Sequence, residues 1–184
     1  MKSRTLFAVL FVLSLIFSVP TSAFQKRDHL TLQEVDRVKE AQILDKRIEV
    51  FIKAAERRVI VISGTQAANA KQLKKDAEKW GELPAGSRFE LVGDIARIFD
   101  EAITNIDDVS SRDERNPLIP KALRKLATSV TSIMEQLKPL KAEAKTEAEI
   151  ASLEKVNEDA QQILEAATKL PPEVDKKAKK NEKK

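Results

Sequence analysis

Apolar side chains return at steps of three and four along four long stretches of this chain, and three of those stretches open with Thr or Ser followed three residues later by Glu. The step matches the turn of an α-helix, so each stretch gathers its apolar groups on one face. The opening pair is a capping box. Its hydroxyl accepts from the amide three residues on, and its Glu reaches back to the amide of the capping residue. Thr31/Glu34, Ser87/Glu90 and Thr146/Glu149 have this form. Only four glycines interrupt the chain, so little competes with helix.

The first stretch predicts a helix from Leu32 to about Ile62, with Val35, Val38, Leu44, Ile48, Phe51, Ala55, Val59 and Ile62 along its stripe. One step in that stripe, Val38 to Leu44, is longer than the rest. A continuous helix of this length would run ~46 Å. Its end, Val59-Ile60-Val61-Ile62, is β-branched throughout and also suits a short strand. Ser63-Gly64 stops it in either case. Residues 65–80 are polar and alanine-rich and suit a short helix ending near Trp80, before a loop marked by Gly81, Pro84 and Gly86.

A second long helix runs from Arg88 to about Val109 on Val92, Ile95, Phe99, Ala102, Ile106 and Val109. The third spans about Lys121 to Leu137, where Pro139 ends or kinks it. The fourth runs from about Glu147 to Leu170, with Ile150, Leu153, Val156, Ala160, Ile163, Ala167 and Leu170 inward. Amphipathic helices bury their apolar faces most economically against one another. The expected fold is therefore all-α, a bundle of four main amphipathic helices plus a short extra helical segment, in a single domain over residues 24–170. The short connections between the last three helices favour antiparallel neighbours. Pro171-Pro172 closes the domain, and the lysine-rich residues 171–184 are expected to form a disordered basic tail.

Residues 1–23 have the three parts of a cleavable secretory signal peptide. Lys2 and Arg4 form a basic start, Leu6 to Val19 is almost wholly apolar, and Thr21-Ser22-Ala23 supplies small residues at the cleavage point. The apolar run falls short of the ~20 residues that span a bilayer as a helix. The chain is accordingly expected to be exported, to a periplasmic or extracellular location. No Cys follows the apolar run, which argues against a lipoprotein, and no later segment is apolar enough to cross a membrane. The absence of Cys also removes disulfides, thiolate metal sites and thiol redox chemistry.

The formal charge of +4 resides at the ends of the chain. Two of the 33 basic residues fall in the first 23 positions and six in the last 14, so the stretch between them is close to neutral. A nucleic-acid partner is not expected, because such a partner calls for a basic folded surface and stacking aromatics, and the chain holds one Trp and no Tyr.

Catalytic signals are as sparse. His29 is the single histidine, which excludes paired-His zinc motifs, di-iron Glu-x-x-His pairs and a Ser-His-Asp triad. Haem ligation would fall to His29 and Met134, and Met134 has core spacing. Ser152-Leu153-Glu154-Lys155 spells Ser-x-x-Lys, but within a helix and without companion motifs. Gly81 and Gly86 have phosphate-loop spacing but lack the following Lys and a preceding strand. A carboxylate-only glycosidase would need a sugar cleft rich in aromatics. The chain is read as not an enzyme and as needing no cofactor.

Asp94, Glu101 and Asp108 recur every seven residues, with Asp100 and Asp107 beside them. They mark an acidic side of the second long helix, set away from its apolar stripe. Asp94, Glu101 and Asp108 are the candidates for a hard cation such as Ca²⁺, with Asp113 and Glu114 as possible helpers. A solvated acidic face accounts for the same pattern. Trp80 serves either as an exposed recognition residue or as a plug at one end of the bundle. The tail lysines suit an anionic surface or simple solubility.

Leu30-Thr31-Leu32-Gln33-Glu34 resembles the Leu-Thr-x-x-Gln helix start of small periplasmic helical chaperones of the Spy and CpxP kind. Gln stands one position early, and the motif occurs once here rather than twice. The resemblance implies a chaperone-like helical protein, and the capping box explains the same five residues.

The expected function is that of a non-enzymatic protein-binding or scaffolding module, which meets another protein through an amphipathic helix face, the long first helix foremost. The alternatives are a carboxylate-based divalent metal or small-ligand binder and a periplasmic chaperone-like protein.

Overall fold

The structure is a computed structural model that describes residues 28–172. The expected 1–23 signal and the tail beyond 172 lie outside the described residues. Among the described residues six α-helices follow one another: α1 (Leu32–Glu40), α2 (Leu44–Ile62), α3 (Ala70–Trp80), α4 (Arg88–Arg112), α5 (Leu118–Leu137) and α6 (Glu147–Thr168). A 3₁₀ turn, Lys138–Ala142, follows α5, where Pro139 was expected to end or kink the helix. No strand occurs among the described residues, so the β-branched run Val59–Ile62 is helical.

The expected single helix from Leu32 to Ile62 is two helices, broken at residues 41–43. The cause lies in the long step of the stripe. Six residues turn an unbroken helix by about 240°, which would carry Val35 and Val38 away from the face of Leu44. The break restores the phase, and Val35 and Val38 pack on the core. It also frees carbonyls, and side chains cover them. Arg47 Nε donates to the carbonyl of Ala41 at 2.9 Å, and Gln42 Nε2 donates to that of Lys39.

The bundle proper is α2, α4, α5 and α6. Around it the order is α2, α4, α6, α5, so α4 and α5 face each other across the diagonal with few contacts between them. Directions follow from side-chain pairs. Arg58 lies near Asp94 and Arg47 reaches Asn105, so α2 and α4 are antiparallel. Lys121 and Lys125 meet Asp45, so α2 and α5 run the same way. Gly93 lies opposite Ser152 and Ile106 near Ile163, so α4 and α6 are parallel as well. The expectation of antiparallel neighbours thus holds for α5 and α6, while α4 takes the parallel α6 as its neighbour. Its short loop to α5 crosses the end of the bundle along that diagonal.

The core is aliphatic with two phenylalanines. Ile48, Phe51, Leu91, Ile95, Ile98, Phe99, Leu126, Val130, Ile133, Val156 and Ile163 are buried. All three capping boxes form, each with both reciprocal hydrogen bonds. Gly64 and Gly81 have φ of 68° and 63°, a region open to glycine, and they end α2 and α3. Helix α3 buries none of its residues. Ile150, expected inward, is 46% exposed.

Candidate functional site

A cluster of buried charge joins α1, α2, α4 and the turn after α3. Glu34, Arg57, Arg58 and Asp94 are each at most 1% exposed. Glu34 sits in the first turn of α1, where the capping box aims its carboxylate back at the Thr31 amide, 2.9 Å away. The same carboxylate receives Arg58 as a fork, Nη1 on Oε1 and Nη2 on Oε2, both at 2.8 Å. Arg57 Nε donates to Oε1 at 3.1 Å. Four donors on one carboxylate compensate much of what it loses on leaving water.

The remaining arginine donors are also directed inward. Arg57 Nη2 donates to the carbonyls of Trp80, Gly81 and Glu82 at 3.0, 3.3 and 2.5 Å, and its guanidinium lies 5.9 Å from the centre of the Trp80 ring. Burial pushes the Arg57 guanidinium below its ordinary value, and Glu34 opposes that shift. Arg58 also donates to the carbonyls of Ala54 and His29. Asp94 accepts from Arg97 Nη2 at 2.6 Å and lies 3.9 Å from Arg58 Nε. Its hydrogen-bonded donors meet the protein's own oxygens, while the buried Arg58 Nε has no hydrogen-bond partner among the described residues. The cluster clasps α1 and the 80–82 turn onto α2. Trp80 is half-buried beside Arg57. It is one jaw of this clasp.

The three expected cation ligands have separate fates. Asp94 lies in the buried cluster, Glu101 Oε2 meets His29 Nε2 at 2.8 Å, and Asp108 is exposed. Asp100 and Asp107, along with Asp113 and Glu114, are also exposed. Among the described residues no three His, Cys, Asp or Glu side chains converge to hold a metal ion. The expected acidic face therefore loses Asp94 to the interior. That residue stands three after Leu91 and four before Ile98, which is a core position. Arg58 occupies the same kind of position in α2, between Ala54 and Ile62. A charge at each of two core positions was the trace of the cluster in the sequence.

The other motifs are spoken for locally. Ser152 donates its hydroxyl to the carbonyl of Ala148, and Lys155 pairs with Asp159, so Ser152 and Lys155 do not act as a pair. Met134 is half-buried against the core.

A hollow of about 540 Å³ opens between the end of α5 and the start of α6. Its floor is made by Leu137 and Val156, and Met134, Leu153 and the exposed Ile150 form its apolar sides. The 3₁₀ turn creates the opening. Leu140 turns into the core at 1% exposure, which leaves Lys138 and Lys141 on the rim, with Glu154 opposite on α6. Lys138 is held by Glu135 at 2.6 Å, whereas Lys141 has no ion pair among the described residues. The hollow has the size and mixed lining of a site that accepts apolar groups, with polar atoms only at its edge. A smaller hollow of about 200 Å³ lies at the other end of α6, beside Ile103, Leu123 and Ala166.

No helix among the described residues is long and apolar enough to cross a membrane. The chain has no significant match among protein-family models, curated proteins or solved structures.

Proposed function

We propose that this chain is an exported, non-enzymatic binding module that receives apolar side chains of a partner protein in the groove between α5 and α6. The observation that carries the reading is the exposed Ile150 on the lip of a groove whose floor is continuous with the core. An apolar side chain laid there leaves water and joins packed atoms, at no cost in buried polar groups. Ile150, Leu153 and Asn157 follow one another at helical steps, so a partner helix crossing α6 would find two apolar contacts and a polar end. The rim lysines favour a partner with acidic groups beside its apolar anchor. Export rests on the N-terminal pattern described above. The reading as a non-enzyme rests on the sparse catalytic signals of the sequence and on the engagement of Ser152 and Lys155 in contacts within α6.

The test compares the tagged chain, expressed with its own leader in its native host, with an Ile150→Glu variant. A partner retained by the first and lost by the second, at equal melting temperature, supports the reading. Equal retention by both, or none by either, overturns it.

A further inference from the structure

Helix α3 presents a fixed row of lysines, and we propose that this face docks the protein on an anionic lipid surface. The inference is independent of the α5–α6 groove. It begins from a contrast in how lysines are used. Across the bundle and its flanks Lys39, Lys46, Lys53, Lys121, Lys125, Lys138 and Lys155 each lie within ion-pair distance of a carboxylate, while Lys141, Lys145 and Lys169, in the turns that flank α6, have no ion pair among the described residues. On α3, Lys71, Lys74, Lys75 and Lys79 are all exposed, and none has an ion pair among the described residues. At 100° per residue these four fall on one arc of the helix, shared with a single acid, Glu78.

The opposite arc carries Leu73, Asp76, Ala77 and Trp80, and it is the side that is tied down. Asp76 is 2.8 Å from Lys53 of α2, and it accepts from Gln72 at 2.8 Å. Trp80 is held by Arg57 through its carbonyl and its ring. The helix contributes no buried residue, so the core does not require it. Its contacts orient it, and the lysines are what they orient.

The chemistry of the row points to a surface of diffuse negative charge. Lysine ammonium groups are compact point charges, unlike the flat fork of arginine that grips single phosphates. The row has no aromatic side chain on which a base could stack. It also has no apolar group to enter the acyl region, so contact would be electrostatic and reversible. Four basic residues are at the lower end of the cluster size that holds proteins to anionic membranes. From Lys71 to Lys79 the helix spreads them over ~12 Å, a length that lipid headgroups can match in a plane.

The test is co-sedimentation of the chain with vesicles of phosphatidylcholine, with and without phosphatidylglycerol, at low and high salt. Binding is expected only with phosphatidylglycerol, and it should fall as salt rises. The double variant Lys71→Gln/Lys75→Gln keeps good helix formers and should bind about 25-fold more weakly, at about fivefold per lysine. A variant with every lysine after residue 175 changed to Gln separates the contribution of the tail. Loss of binding in the tail variant alone, with the α3 variant unaffected, would overturn the proposal. So would equal binding to uncharged vesicles. Preferential release by soluble polyphosphate at matched charge would assign the face to a linear polyanion and remove the bilayer. Equal melting temperatures for all variants show that the fold is intact, and Ile150→Glu should leave vesicle binding unchanged.

Discussion

Glu34 has two tasks at once. It closes a capping box and it neutralises two arginines inside the protein. The tasks can be separated by substitution. Thr31→Ala removes a cap and should cost ~1 kcal/mol. Glu34→Gln leaves Arg57 and Arg58 buried without their carboxylate and should cost ~3–5 kcal/mol. Urea unfolding of the two variants compares them directly, and equal losses would reduce Glu34 to a cap. The first task was legible in the sequence because it is local, fixed by a spacing of three. The second was not, because an acid already explained by its cap gives no hint of two arginines more than twenty positions away. Arg58 and Asp94 at core positions were the readable half of that cluster.

Helices were legible wherever the apolar stripe was regular, and their starts were legible at each capping box. The break at residues 41–43 was visible only as a lengthened step. No Gly or Pro marks it, since tertiary phase and not local propensity sets it. The groove beside Ile150 was hidden for a related reason. Its spacing is that of an inward residue, and only the path of the 3₁₀ turn leaves it uncovered. Helix α3 differs from its neighbours in having nothing buried to hold it shut. Its amides should therefore exchange with solvent through local opening, at lower free energy than those of α2 and α4. Hydrogen exchange read residue by residue tests this. Protection in α3 equal to that in α4 would mean that the Arg57–Trp80 and Lys53–Asp76 contacts tie it into the cooperative unit.

For the molecule as a whole, the ionic contacts between helices give stability a dependence on acid. The Lys121 ammonium beside Asp45 holds its carboxyl below the usual range, against burial and with help from Lys125. Lys125 does the same for Glu49. Carboxyls lowered in the folded state contribute stability that is present above their unfolded values, near 4, and is lost as pH falls through the folded ones. Asp159 has the opposite sign. Burial pushes its carboxyl up despite Lys155, so its contribution improves on acidification before the others fail. Melting temperature should hold or rise slightly as pH falls towards about 4 and then drop. Asp45→Asn should lower the melting temperature at neutral pH and make that drop shallower. An unchanged profile in Asp45→Asn would show that the contact with α5 contributes nothing. The all-α bundle itself was legible from four stripes, but the order of helices around it was not, because periodicity says which face is buried and not which neighbour buries it.

That order has an electrical consequence. Each helix carries a partial positive charge at its start and a partial negative one at its end. In a bundle whose neighbours alternate in direction these charges would alternate around each end. Here α2 lies beside the parallel α5, and α4 beside the parallel α6, so two positive poles adjoin at each end and two negative poles adjoin opposite them. The first-turn acids follow this division. Asp45 serves the α2–α5 half of one end, where α5 brings no first-turn acid of its own, and Glu90, Glu147 and Glu149 serve the α4–α6 half of the other. The axial dipoles cancel over the whole length, while each end is divided across its middle into two sides of opposite sign.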